Sequence, residues 1–204
     1  MKRPRPPKKM LETIAPMFIP ALDVEKWVKA GFLNEDSRIY NEHHRHLIFA
    51  EIAFLWTNVS NSRQMKTIAA TAEIPKPSPM ANKWEKAKYD LLMDLWFGPR
   101  NFDFLITMNT RILNEVNDRQ FTAIIDHELY HCAQKRDQFG VKEFYKNGRP
   151  KFAMLGHDVE EFTGIIERYG VQAGAGDTVN FINAAKKRPT VGAVDLKSMC
   201  GTCA

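Results

Sequence analysis

The chain has 204 residues, of which 44% are hydrophobic and 26% charged, and a formal net charge of +5. Lys2, Arg3, Arg5, Lys8 and Lys9 account for that excess, because the chain beyond residue 10 holds 24 basic and 24 acidic side chains. This excludes a uniformly basic protein that coats nucleic acid and leaves a neutral globular body, long enough to bury a core, with a basic arm.

The predicted organisation is an arm over residues 1–20, one domain over 21–185 and an irregular basic tail over 186–204. The arm holds five of the eleven prolines and should be extended or disordered. Leu47 to Trp56 is apolar except for Glu51 and reads as one buried helix, entered through the polar run Asn41–His46. His43, His44 and His46 within that run, with Glu42, fit a polar helix entrance better than a second metal site. Residues 57–80 are polar, end in a proline-rich stretch and read as a linker or surface loop. Lys83–Phe97 has helical spacing and is stopped by Gly98-Pro99.

Phe102, Phe104, Ile106 and Met108 recur at a period of two, so Phe102–Asn109 is a strand. A short helix follows over Thr110–Val116. Asp118 is a candidate N-cap for the next helix, which carries Phe121, Ile124, Ile125, Leu129 and Cys132 at helical spacing. Residues 141–155 read as a hairpin turning at Asn147-Gly148. Asp158–Tyr169 reads as an amphipathic helix closed by Gly170, and Val179–Ala185 as a further short helix. No run approaches 18 apolar residues, so no membrane-spanning helix and no membrane partner are expected. Met10–Leu22 contains Glu12, Pro16 and Pro20 and makes a poor secretory signal. Three cysteines do not form a disulfide framework, and the default compartment is the cytoplasm.

His127-Glu128-Leu129-Tyr130-His131 has the form H-E-x-x-H. On a helix the two histidines share a face and can bind one cation, for which zinc is the expected ion. Glu128 is then placed to act as general base for a metal-activated water. A third ligand should come from residues 156–162, Gly-His-Asp-Val-Glu-Glu-Phe. His157 is the leading candidate there, with Glu160 and Glu161 as alternatives. If His157 is the ligand, Glu161 is placed one turn on to orient it. Cys132 reads as a buried thiol, and the lone pair Cys200-x-x-Cys203 is weak evidence for metal.

Asp126–His131 followed by Gly156–Phe162 resembles the phage metallopeptidase family, which is related to the SprT-like zinc peptidases. The resemblance covers roughly residues 45–170. It implies an α+β, zincin-like fold with a small sheet beside the active-site helix. It also implies one catalytic zinc, His157 as third ligand, and hydrolysis of protein or peptide substrates. The stretch from His131 to His157 is longer than is common in SprT-like proteins, and a single Cys pair cannot complete the zinc ribbon that several of them carry. Phe102–Asn109 is the candidate strand against which an extended peptide would pair. The competing function is a non-catalytic, metal-stabilised protein whose basic arm, through Lys2, Arg3, Arg5, Lys8 and Lys9, contacts nucleic acid.

Overall fold

The structure, a computed structural model, describes residues 2–63, 66–159, 166–167, 170–171, 177–194 and 199–200. Its centre is a mixed sheet. The strands are β1 (Phe18–Pro20), β2 (Ile52–Thr57), β3 (Ser62–Arg63), β4 (Lys66–Glu73) and β5 (Phe104–Asn109). They lie in the order β1-β2-β5-β4-β3, and β8 (Met199–Cys200) also pairs with β4. β2 and β5 run parallel in the middle, with Ile52 opposite Phe104 and Thr57 opposite Asn109. β1 and β4 flank them antiparallel.

Both faces of β2 are covered, so all six of its residues are buried. Ile52, Phe54 and Trp56 point into the main core with Phe104, Ile106 and Met108 of β5. That core is closed by the helices α2 (Leu22–Gly31), α4 (Thr110–Glu115) and α5 (Asp118–His131). Ala53, Leu55 and Leu105 point the other way, where Met93, Trp96 and Phe97 of helix α3 (Lys83–Phe97) cover them. The fold is therefore α+β, with a small sheet beside α5.

Three expectations are corrected here. Leu47–Trp56 is not a helix: a 3₁₀ turn over Glu42–Phe49 gives way to strand β2. A strand buried on both faces loses its alternation, and a short apolar run then looks the same as a buried helix. Residues 57–80 are not a loop throughout, since β3 and β4 lie within them. β4 contributes Ala69, Ala70 and Ala72 to the core, and its alanines gave no strand signal. Strand β5 is paired on both sides, by β2 and β4, so it has no free edge for a peptide.

The basic arm is also not detached. Residues 8–12 form helix α1, with Met10 fully buried, and β1 joins the sheet. Arg3 is 4% exposed. Its guanidinium donates to the carbonyls of Leu113 (2.8 Å) and Val116, and its Nε lies 2.9 Å from the Asp118 carboxylate. The same group sits over the Phe121 ring at 4.9 Å. Arg3 thus ties together the end of α4 and the start of α5.

α5 starts one residue earlier than expected, at the residue expected to cap it. Asn117, not Asp118, is the N-cap: its side chain accepts from Gln120 N at 3.0 Å, and the Gln120 side chain accepts from Asn117 N at 2.9 Å. Asp118 is the first helical residue, which leaves its carboxylate for Arg3. Beyond α5, β6 (Cys132–Gln134) pairs antiparallel with β7 (Phe152–Met154). The turn at Asn147-Gly148 forms, with Gly148 at φ +80°. However, 152–154 pairs with the strand after α5 rather than with 141–146, which forms an outer lobe between β6 and β7. The last described helix, α6 (Thr178–Ala185), is as expected. The helix expected over Asp158–Tyr169 lies largely outside the described residues. Among the described residues no helix is long and apolar enough to cross a membrane.

Replacing Arg3 by Ala removes a buried charged donor from two carbonyls and one carboxylate. Stability in urea should fall by about 2–3 kcal/mol. An unchanged unfolding midpoint would show that the N-terminal segment is not anchored in this way.

Candidate metal centre

α5 brings His127 and His131 one turn apart on one face, with their Nε2 atoms 3.2 Å apart. His157 arrives from the loop that follows β7, its Nε2 3.1 Å from that of His127. One ring nitrogen from each of the three lies within 4.8 Å of the others, and all three ring centroids are 5.0 Å apart. His131 is buried, His127 half-buried and His157 exposed, so the cluster is open to solvent on one side.

The route by which His157 gets there is a backbone one. In the β6–β7 ladder Cys132 faces Met154, so the preceding residue, His131, faces Leu155. Leu155 N donates to the His131 carbonyl at 2.9 Å, and the His131 ring Nδ1 lies 2.6 Å from the Leu155 carbonyl. The carbonyl can only accept, so His131 Nδ1 carries the proton. A neutral His131 then turns the lone pair of Nε2 towards the other two rings. Two residues after Leu155, the chain has turned back far enough for His157 to meet His127.

Three imidazole nitrogens at this spacing fit a metal ion. Their lone pairs would repel if nothing lay between them, and a single N–H can bridge only one pair. Ligands of a tetrahedral ion at zinc–nitrogen distances sit about 3.3 Å apart, close to the two shorter separations here. Three protein nitrogens leave one position for water or substrate, on the side where His157 is exposed.

Glu128 is 1% exposed on the core side of α5, next to His127. Cys132 is fully buried and donates from Sγ to the Glu128 carbonyl at 3.4 Å. Burial first, and then the Glu128 charge, push its thiol well above the ordinary range, and it lies outside the cluster of three histidines. Glu160, Glu161 and Cys203 lie outside the described residues. The backbone of Cys200 forms part of β8.

The early histidines fasten α5 rather than forming a second centre. His44 is buried and places Nε2 2.6 Å from the Asp126 carboxylate, to which Asn41 also donates at 3.0 Å. Its ring meets Tyr130 edge-on at 4.7 Å. His46 Nε2 lies 2.7 Å from the Cys132 carbonyl, just past the helix end. Burial, partly offset by its hydrogen bonds to the Cys132 and His43 carbonyls, lowers the pKa of His46. The sequence assigns no partners to Asp126 and these histidines, because the 3₁₀ turn that carries His44 and His46 has the polar pattern of a helix entrance. Of the arm's basic residues, Lys2, Lys8 and Lys9 are exposed. Arg5 is half exposed, with Nη1 3.4 Å from the Asn114 carbonyl and Nη2 3.6 Å from the Asp118 carboxylate. Arg3 is committed to the body.

A helix that carries two histidines against a mixed sheet, with a third histidine closing the triangle, makes a site able to hold a metal ion. The family model described as Putative phage metallopeptidase matches residues 25–186, and the chain belongs to that family. The match spans the whole sheet from β2 to β5 and all three clustered histidines. No curated protein and no solved structure matches the chain.

His157 is exposed and makes no core contact, so His157→Ala should leave the melting of the metal-free protein almost unchanged, within about 0.5 kcal/mol. Zinc affinity, measured by competition with a chromogenic chelator, should fall by at least ~100-fold. Wild-type affinity in this variant would remove His157 from the ligand set.

Proposed function

We propose that the protein is a zinc-dependent metallopeptidase that hydrolyses peptide bonds, with His127, His131 and His157 as ligands and Glu128 as general base. The observation that carries the proposal is the convergence of three ring nitrogens, one of them from the residue before Glu128, in a chain of a metallopeptidase family. The imidazole-only donor set favours zinc over magnesium or calcium, which prefer oxygen ligands. A zinc ion held there would lower the pKa of a coordinated water towards ~7 and polarise a substrate carbonyl.

The chain's own residues do the rest. The Leu155 carbonyl holds His131 in the tautomer that leaves Nε2 free to coordinate. Glu128 takes the proton of the attacking water and returns it to the leaving amine. Its burial strengthens its electrostatic influence on charge that develops nearby. The exposed side of the cluster at His157 is where a peptide would enter. In this reading the fold is zincin-like and related to the SprT-like peptidases. It is supported by the H-E-x-x-H helix lying against a mixed sheet, and the enzyme works in the cytoplasm.

The alternative, a protein that uses its metal only for structure, needs no buried carboxylate next to the first ligand. The two are separated by Glu128→Gln. This variant should bind zinc as the wild type does and cleave an unfolded protein substrate at least ~1,000-fold more slowly. Chelation should abolish wild-type cleavage, and zinc should restore it. Cleavage by Glu128→Gln at the wild-type rate would contradict the proposal.

A further inference from the structure

The lobe between β6 and β7, residues 135–151, concentrates positive charge. It holds six basic and two acidic side chains, whereas the rest of the chain beyond residue 10 has four more acidic than basic ones. Part of that charge is answered within the fold. Glu143 pairs with Lys135 at 3.1 Å and with Lys151 at 3.0 Å, and Arg149 reaches Asp103 at 2.6 Å. The Asp137 carboxylate accepts the backbone amides of Phe139 and Val141, both at 2.9 Å. Arg136, Lys142 and Lys146 are exposed, and none has an ion-pair partner among the described residues.

Two of these cations oppose the folding of the lobe. Arg136 stands directly opposite Lys142 in an antiparallel bridge. Asp137 N donates to the Val141 carbonyl and Glu143 N to the Lys135 carbonyl, so hydrogen bonds flank the pair without joining it. That is the narrow kind of cross-strand pair, with Cα atoms about 4.5 Å apart, where like charges are destabilising. An anion against both side chains would relieve the repulsion. Beside this pair the lobe also exposes rings. Phe144 is two residues beyond Lys142 in the same extended segment and shares its side. Phe144 and Tyr145 are each 52% exposed, and Phe139 is 79% exposed. Phe144, Tyr145, Lys146 and Lys151 line one open recess, with Lys151 Nζ 5.7 Å from the centre of the Tyr145 ring. Exposed rings among unpaired cations offer a stacking surface for bases and a positive field for phosphates together. An acidic peptide would use the cations and leave the rings in water. A duplex keeps its bases stacked on one another and gives the rings nothing to stack on.

We propose that the lobe between β6 and β7 binds single-stranded nucleic acid, with Arg136, Lys142 and Lys146 on the phosphates and Phe144 and Tyr145 against the bases. None of the three clustered histidines belongs to the lobe, so the inference does not rest on peptidase activity. It moves the nucleic-acid contact from the N-terminal arm, whose Arg3 is committed to the body, to a surface with both charge and rings.

Fluorescence anisotropy with the full-length chain and labelled oligothymidine of roughly 20 nucleotides tests this. Binding should be micromolar at about 50 mM salt, and log K against log salt should have a slope of about −2, three phosphate contacts at ~0.7 each. Oligouridine in parallel shows which sugar is preferred, and a duplex of the same length should bind at least ~10-fold more weakly. Arg136→Ser combined with Lys142→Ser should weaken binding at least ~10-fold and remove about 1.4 from the slope. The same variant should melt no lower than the wild type, because a like-charge pair is lost. Phe144→Ala should weaken binding at least ~5-fold and leave the slope unchanged. Absence of binding at low salt would overturn the proposal, as would equal binding of the duplex. So would binding that survives the lobe substitutions and is lost when Lys2, Lys8 and Lys9 become Ser. Displacement of the oligonucleotide by polyglutamate of equal charge would assign the lobe to acidic peptides instead.

Discussion

The three-histidine cluster depends on the pairing of His131 with Leu155. One hydrogen bond runs from the Leu155 amide to the His131 carbonyl, and the other joins the His131 ring to the Leu155 carbonyl. The first sets where the returning chain lies, and the second sets which way the ring points. Together they convert two histidines on a helix into three nitrogens around one point. The lobe between β6 and β7 can vary in length without disturbing this, because the ladder from Cys132–Met154 to Gln134–Phe152 fixes the register at its base.

The rest of the fold holds α5 still. Arg3 and the Asn117–Gln120 capping box fasten its start, and the His44–Asp126 pair fastens its flank. His46 meets the backbone carbonyl at its end. Phe121, Ile124, Ile125 and Leu129 seat its inner face on β2, β5 and the alanines of β4. Small side chains on β4 let the helix lie close to the sheet. A site whose ligands must meet within a few tenths of an ångström needs a helix constrained at both ends and along two faces.

Much of this was legible in the sequence where the signal is local. Helix α3 ends at Gly98-Pro99, β5 alternates at a period of two, and H-E-x-x-H falls on one helical face, so each could be read from its own residues. His157 could be named because few other ligands lie downstream and because the segment resembles that of a known family. What could not be read depends on tertiary context. Strand β2 is buried on both faces and so has no alternation. Arg3 looks like any basic residue of a flexible arm until the carbonyls of Leu113 and Val116 are brought to it. The group that orients His131 is a backbone carbonyl, which no residue type announces. The same limit applied to β5: its strand character was evident, but not that neighbours occupy both its edges.

The proposed chemistry requires that His127, His131 and His157 hold one zinc ion and leave a position open to oxygen. X-ray absorption spectroscopy on zinc-loaded protein reads that coordination shell. One zinc per chain is expected, with a first shell of three imidazole nitrogens at about 2.0–2.1 Å and one oxygen, and no sulfur. A sulfur shell at about 2.3 Å, or a closed shell of four protein ligands, would contradict it.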